Sequence, residues 1–171
     1  MSIITQWSEA PKMDTGAPMP SIRMLDGRVL VCAYTVSKPT MPKSNGDEFA
    51  LVVFRGVTQF TFGYPNDEVL GEHPLYPDGI AFYAFNFIEN SPTIDALGQR
   101  NEIAFPGSKS RWTTGKKHYL VAFHDETLEV ICREVTYVGN IVAECADKAI
   151  DVMIAKQAAG LNGSPTAGSP S

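Results

Sequence analysis

The chain has 171 residues, 44% of them hydrophobic and 19% charged, with a formal net charge of −5. That length fits one domain, able to bury roughly 70% of the surface its unfolded chain would expose, and the composition excludes a disordered or fibrous chain. The acidic balance argues against a generic nucleic-acid binder, which needs clustered Lys and Arg.

Residues 1–27 contain APKMDTGAPMP, where Pro11, Pro18 and Pro20 oppose regular structure, and read as an extended arm that packs on the body or moves freely. RVLVCAYTVS (28–37) is apolar on both faces and rich in β-branched residues, a buried strand. KPTMPKSNGD (38–47) is a loop with Asn45-Gly46 as a turn pair. EFALVVFRGVTQFTFGY (48–64) reads as a strand interrupted at Gly56 by a bulge or tight turn, its second half carrying Thr58, Phe60, Phe62 and Tyr64 on one face.

Residues 79–90 read as a long strand, aromatic on one side through Tyr83, Phe85 and Phe87. NSPTIDALGQR (90–100) predicts a short helix capped by Asn90 or Ser91, with Pro92 in its first turn and an early end at Gly98. FPGSKSRWTTGKK (105–117) is a loop, and strands follow at 117–124 and 127–137 with Asp125-Glu126 between them. From Asn140 the spacing of Val142, Ala146, Ala149, Ile150 and Met153 is helical, with Glu144 and Lys148 an i,i+4 pair. Residues 160–171 form a flexible tail, so that 28–159 is a single β-rich domain ending in a helix. The fold class is all-β or β-dominated α+β: an antiparallel sandwich or open barrel with a short middle helix and a C-terminal one.

The 117–136 hairpin can be registered from polarity. Pairing Phe123 with Leu128, Val121 with Val130, Tyr119 with Cys132 and Lys117 with Glu134 gives an apolar core face ending in an ion pair. The other face then carries His118, His124, Glu129 and Arg133. It reads as a solvated sheet face, against which stand Leu120 and Ile131 at its centre, since these call for a cover.

FGYPNDEVLGEHPLY (62–76) concentrates ionisable groups beyond what a turn requires. Pro65, Asn66, Pro74 and Pro77 are accounted for as turn formers; Asp67, Glu68, Glu72, His73 and Tyr76 are not. Carboxylates beside an imidazole raise its pKa or share a metal with it. GYPNDE…HPLY, followed by FHDETLE at 123–129, resembles blocks of a family of small bacterial proteins that has no assigned activity. The resemblance runs from about Thr61 to Arg133 and implies a grouping but no residue roles.

These features place a site where the 64–76 loop meets the strand end at 124–125. One reading is a module binding a small polar ligand through Tyr64, Asn66, Asp67, Glu68 and Tyr76. The alternative at the same site is an enzyme acting on a small molecule. There His124 and Asp125 would do acid–base work, or His73 and His124 with a carboxylate would hold a divalent metal such as zinc or ferrous iron. An exposed strand edge or aromatic patch would suit a homodimer. Lys109, Arg111, Lys116 and Lys117 around Trp112 could grip an anion, although a short basic loop in an acidic protein is more often simply solvated.

Cys32, Cys132 and Cys145 show no CxxC or zinc spacing and read as packing. The N-terminal MSIITQWSEAPK lacks the basic start and apolar core of a signal peptide, and IAFYAFNFI (80–88) is too short to span a membrane. The expectation is a cytoplasmic protein with reduced thiols and no membrane association.

Overall fold

The computed structural model describes residues 2–40 and 46–161, with side chains through residue 158. In chain order its elements are β1 (Ile3–Gln6), β2 (Ser21–Leu25), β3 (Val29–Thr35), β4 (Asp47–Arg55), β5 (Gln59–Gly63), β6 (Phe85–Glu89), α1 (Pro92–Ala104), α2 (Lys109–Thr113), β7 (Lys117–Ala122), β8 (Thr127–Cys132), β9 (Glu134–Ala143) and α3 (Ala146–Leu161). Short 3₁₀ turns cover Asp67–Glu72 and Tyr76–Asp78. The strands make two antiparallel sheets, ordered β1-β6-β7-β8-β5 and β2-β3-β4-β9, which form a sandwich and do not close into a barrel.

The main core lies between the sheets, where Leu30, Cys32, Tyr34, Val52 and Phe54 meet Phe85, Tyr119, Val121, Phe123 and Leu128. Each sheet is also covered on its outer face. Ala146, Ala149, Ile150 and Met153 of α3 pack on Val31, Phe49, Leu51 and Val53, so β3 and β4 are apolar on both faces because both faces are buried. Leu70, Leu75 and Ile80 from the 3₁₀ segment cover Ile88, Leu120 and Ala122 on the other sheet. The solvated-face reading of the hairpin is therefore corrected. His118, Leu120 and Ile131 are buried, and the cover over Leu120 is the loop singled out for its ionisable groups.

The hairpin register differs from the expected one by two residues. Val121 faces Leu128, Tyr119 faces Val130 and Lys117 faces Cys132. The tight turn is centred on His124-Asp125, closed by the Phe123 N–H donating to the Glu126 carbonyl at 2.9 Å, and not on Asp125-Glu126. A slip of two preserves the faces, because side chains alternate with period two; the expected Lys117–Glu134 pairing does not form, and Glu134 instead opposes Arg55.

Two predicted strands divide because each changes sheets. The 48–64 run breaks at Gly56, as expected: its φ is +64°, β4 lies in one sheet and β5 in the other. The 127–137 run breaks at Arg133 in the same way, β8 and β9 belonging to different sheets. The corners are joined, the Arg133 N–H donating to the Arg55 carbonyl at 2.9 Å and the Thr58 N–H to the Ile131 carbonyl at 2.8 Å.

Other boundaries also move. The arm carries β1 and β2, and it packs on the body: Trp7 meets Phe85 edge-on at 5.5 Å, and the Tyr34 hydroxyl donates to the Pro11 carbonyl at 2.7 Å. The strand expected over 79–90 is ordered as a strand only at 85–89. Helix α1 is capped by Ser91, whose Oγ accepts from the Ile94 N–H at 3.1 Å, but it runs through Gly98 to Ala104. The expected loop at 105–117 contains α2, and the last helix starts at Ala146, the residues from Asn140 to Ala143 completing β9. Glu144 precedes that helix, and Lys148 lies 3.8 Å from Asp151. The Asn45 half of the Asn45-Gly46 turn pair and most of the 160–171 tail lie outside the described residues.

Candidate functional site

The 64–76 loop and the hairpin tip do meet. Thr127 Oγ donates to the Pro65 carbonyl at 2.7 Å, and the Asp67 N–H donates to the His124 carbonyl at 3.0 Å. The first bond fixes the turn and the second sets Asp67 beside the imidazole. His124 Nδ1 is 3.0 Å from Asp125 Oδ1. That contact, then the charges of Asp67 and Glu68, raises the His124 pKa above 6.5.

Sequence reasoning missed the residue that completes this group. The Tyr83 hydroxyl donates to Asp67 Oδ2 at 2.6 Å, and its ring lies 6.5 Å from that of His124. Tyr83 has φ of +52°, a left-handed backbone that a bulky side chain adopts only where its surroundings enforce it. The bond to Asp67 pushes the phenol up to about 12. The other carboxylate oxygen, Asp67 Oδ1, is buried with no protein partner. Such groups are rare in folded chains and call for an explanation.

Tyr83 also lines a cavity of about 370 Å³ between the arm and residues 82–85, with Trp7, Ala10, Lys12, Met13 and Phe82 among its walls. The turn that contains Tyr83 is closed by Asn86, fully buried in β6. Its Oδ1 accepts from the Ala81 N–H at 2.8 Å, and its Nδ2 donates to the carbonyls of Ala81 at 2.9 Å and Leu120 at 3.2 Å.

The remaining expected site residues lie around this group or away from it. Tyr64 is 83% exposed. Tyr76 packs edge-on against Phe82 at 6.1 Å, Glu68 is exposed, and Asn66 leads into the first 3₁₀ turn without a side-chain cap.

His73 keeps different company from His124. Its Nδ1 accepts from the Leu75 N–H at 3.2 Å; burial lowers its pKa, and the charged groups acting on it are Glu129 and His118. Among the described residues, no three His, Cys, Asp or Glu side chains are grouped to hold a metal ion, so the joint His73–His124 metal site expected from sequence gains no third ligand.

A second polar group lies beneath the start of α1. His118 is fully buried, with Nδ1 2.7 Å from Ser91 Oγ and Nε2 2.7 Å from Glu129 Oε1. The carboxylate oxygen sits off the N–H axis, which leaves an ion-pair distance without a well-directed hydrogen bond. Thr93 Oγ adds a contact of 3.4 Å to the same oxygen. The register placed His118 and Glu129 on one face; nothing in the sequence brought Ser91 and Thr93 to them. This group ties the helix cap to the sheet.

Two expected results follow. Removing Glu129 strips a partner from a buried imidazole, so Glu129→Ala should cost about 1–3 kcal/mol in urea melts, more than an exposed sheet position would. A loss under about 0.5 kcal/mol would contradict the pairing. His118 lowers the Glu129 pKa in the folded state. The resulting stability is present above the unfolded carboxylate value, about 4.3, and is lost as pH falls through the folded value.

NMR titration should also separate the histidines, His73 titrating below 6.5 and His124 above it. Because His73 resists protonation in the fold, it removes stability as pH falls from 6.5 through its folded value; His124 contributes stability below 6.5 that is lost as pH rises through its folded value. Asp125→Asn should bring His124 down and leave His73 unmoved. A common shift of both rings would show that they share one site.

The thiols of Cys32 and Cys132 are buried, which pushes Cys132 up to about 12 and Cys32 higher still, and both are inert. Cys145 is exposed, where packing was expected. No helix among the described residues is long and apolar enough to cross a membrane. Comparison with protein-family models, curated proteins and solved structures found no match.

Proposed function

We propose that this protein binds a small polar molecule in the cavity between the arm and residues 82–85, with Tyr83 on its wall, Asp67 behind the Tyr83 hydroxyl, and His124-Asp125 beside Asp67. The observation that carries the reading is the Tyr83–Asp67 pair. A strained tyrosine on a cavity wall donates to a carboxylate whose second oxygen is buried and unpartnered. Strain and an unmet acceptor in one place support a site shaped for a ligand that brings a hydrogen-bond donor. Asp67→Asn keeps the shape and removes the charge. A polar metabolite that raises the melting temperature of the native chain should fail to raise that of the variant; equal rises would overturn the reading.

The raised pKa of His124 supports a second reading, catalysis on the bound molecule, in which His124 exchanges a proton and Asp125 orients its ring. Turnover lost in His124→Gln with binding retained would separate the two. A cytoplasmic location and a homodimer belong to the same proposal. Buried reduced thiols suit the former. Strand β5, at a sheet edge and with Phe60 and Phe62 exposed, suits the latter, which sedimentation would test.

A further inference from the structure

The corner where two strands change sheets opens a second cavity, of about 740 Å³, that shares no residue with the arm cavity. Four cationic side chains line it: Arg28, Arg111, Lys116 and Arg133. No Asp or Glu lines it, although the chain as a whole is acidic. Among the described residues, none of the three arginines has a carboxylate within ion-pair distance.

Lys116 Nζ donates to Thr58 Oγ at 2.6 Å and lies 4.3 Å from the centre of the Trp112 ring. Its pKa is lowered by burial and then by the charges of Arg133 and Arg28. Like charges gathered without a counter-charge repel one another, and a bound anion reverses that cost.

The fold holds this arrangement in place. At Gly56, whose φ is +64°, a Cβ would come within 3.0 Å of Arg133 Cγ, so this glycine leaves room for the stem that carries the guanidinium. Glu102 accepts from the N–H groups of Gly107 and Lys109, each at 2.6 Å, and so anchors the start of α2, which carries Arg111 and Trp112. Of the basic residues that stood out in KSRWTTGKK, Lys109 pairs with Asp95 at 2.6 Å and Lys117 lies off the wall. Their places are taken by Arg28 and Arg133, which no local run of sequence could have joined to Arg111.

Arginine forks match phosphate oxygens in pairs, and Trp112 and Phe105 add planar apolar surface to the same wall. We infer that this cavity is a binding site for a small phosphate monoester bearing a planar ring, of the mononucleotide class, the phosphate held by Arg28, Arg111, Lys116 and Arg133 and the ring lying against Trp112. A nucleic-acid strand is disfavoured because the cations converge on one cavity of an acidic chain and do not track along a groove.

The test is calorimetric titration of the full-length protein with adenosine and guanosine monophosphates, inorganic phosphate and a short single-stranded oligonucleotide. A mononucleotide should bind, more weakly as salt rises, and inorganic phosphate should bind more weakly than it. Arg111→Ala, on a short surface helix, should lose about tenfold or more in affinity for both ligands, as should Arg133→Ala if it keeps the native melting temperature. Trp112→Leu should weaken the mononucleotide and leave phosphate unchanged. No binding of either anion at millimolar concentration would overturn the assignment, as would undiminished binding to Arg111→Ala. An oligonucleotide bound more tightly than the mononucleotide would replace it with a nucleic-acid surface.

Discussion

Val121→Asp should destabilise the protein by about 3–5 kcal/mol in urea melts, because it places a charge with no partner in the centre of the sandwich. Val121 is fully buried, opposite Phe85 on one side and Leu128 on the other. Its side chain belongs to the core between the sheets together with Tyr119 and Phe123. A loss no larger than that of Glu129→Ala would mean that the two faces of the hairpin are exchanged.

Asn86→Ala should cost about 2–4 kcal/mol, the second largest effect expected. It removes hydrogen bonds worth about 1 kcal/mol each and strips a partner from backbone groups that are buried or partly buried. Those groups are the N–H and carbonyl of Ala81 and the carbonyl of Leu120. The consequence should reach the proposed site, since the turn that Asn86 closes against Ala81 contains Tyr83 in its left-handed conformation. Near-ultraviolet circular dichroism should therefore change in the folded variant as well as its melting curve. A loss below about 1 kcal/mol would show that the turn holds without the amide.

Elements were legible in the sequence where a single physical signal dominated. β3 and β4 are apolar on both faces because α3 covers one face and the second sheet the other. Gly56 marks a break because only a residue without Cβ adopts its φ freely beside Arg133. The hairpin faces survived an error of one residue in the turn, since that moves the register by two.

Elements were lost where tertiary structure overrode local pattern. The run 127–137 has unbroken strand character, and its change of sheet at Arg133 is set by pairing with Arg55 on another strand. The prolines of the arm suggested irregular chain, yet Pro11, Pro18 and Pro20 fall between β1 and β2. The alternating aromatics at 83, 85 and 87 looked like strand throughout, while the buried amide of Asn86 bends the chain just before it.

The same division holds for the sites. Asp67 and His124 belong to neighbouring loops of polar composition, and their meeting was readable. His73 sits only six residues beyond Asp67, but the 3₁₀ turn between them directs it towards Glu129 and His118. Tyr83 read as one more aromatic on the face of a strand, and Arg28 and Arg133 are distant in sequence from the basic loop they join. Long-range convergence of this kind leaves no trace in spacing.

The central claim is that the Tyr83–Asp67 pair is the polar end of a ligand site at the arm cavity. Amide and indole chemical shifts recorded by NMR, while the protein is titrated with a mixture of small polar metabolites, test it most directly. The account predicts that Trp7, Asp67 and Tyr83 shift together on binding and that Tyr83→Phe, with its fold intact, abolishes the response. Shifts confined to residues around Arg111 and Arg133, or a response unchanged in Tyr83→Phe, would contradict it.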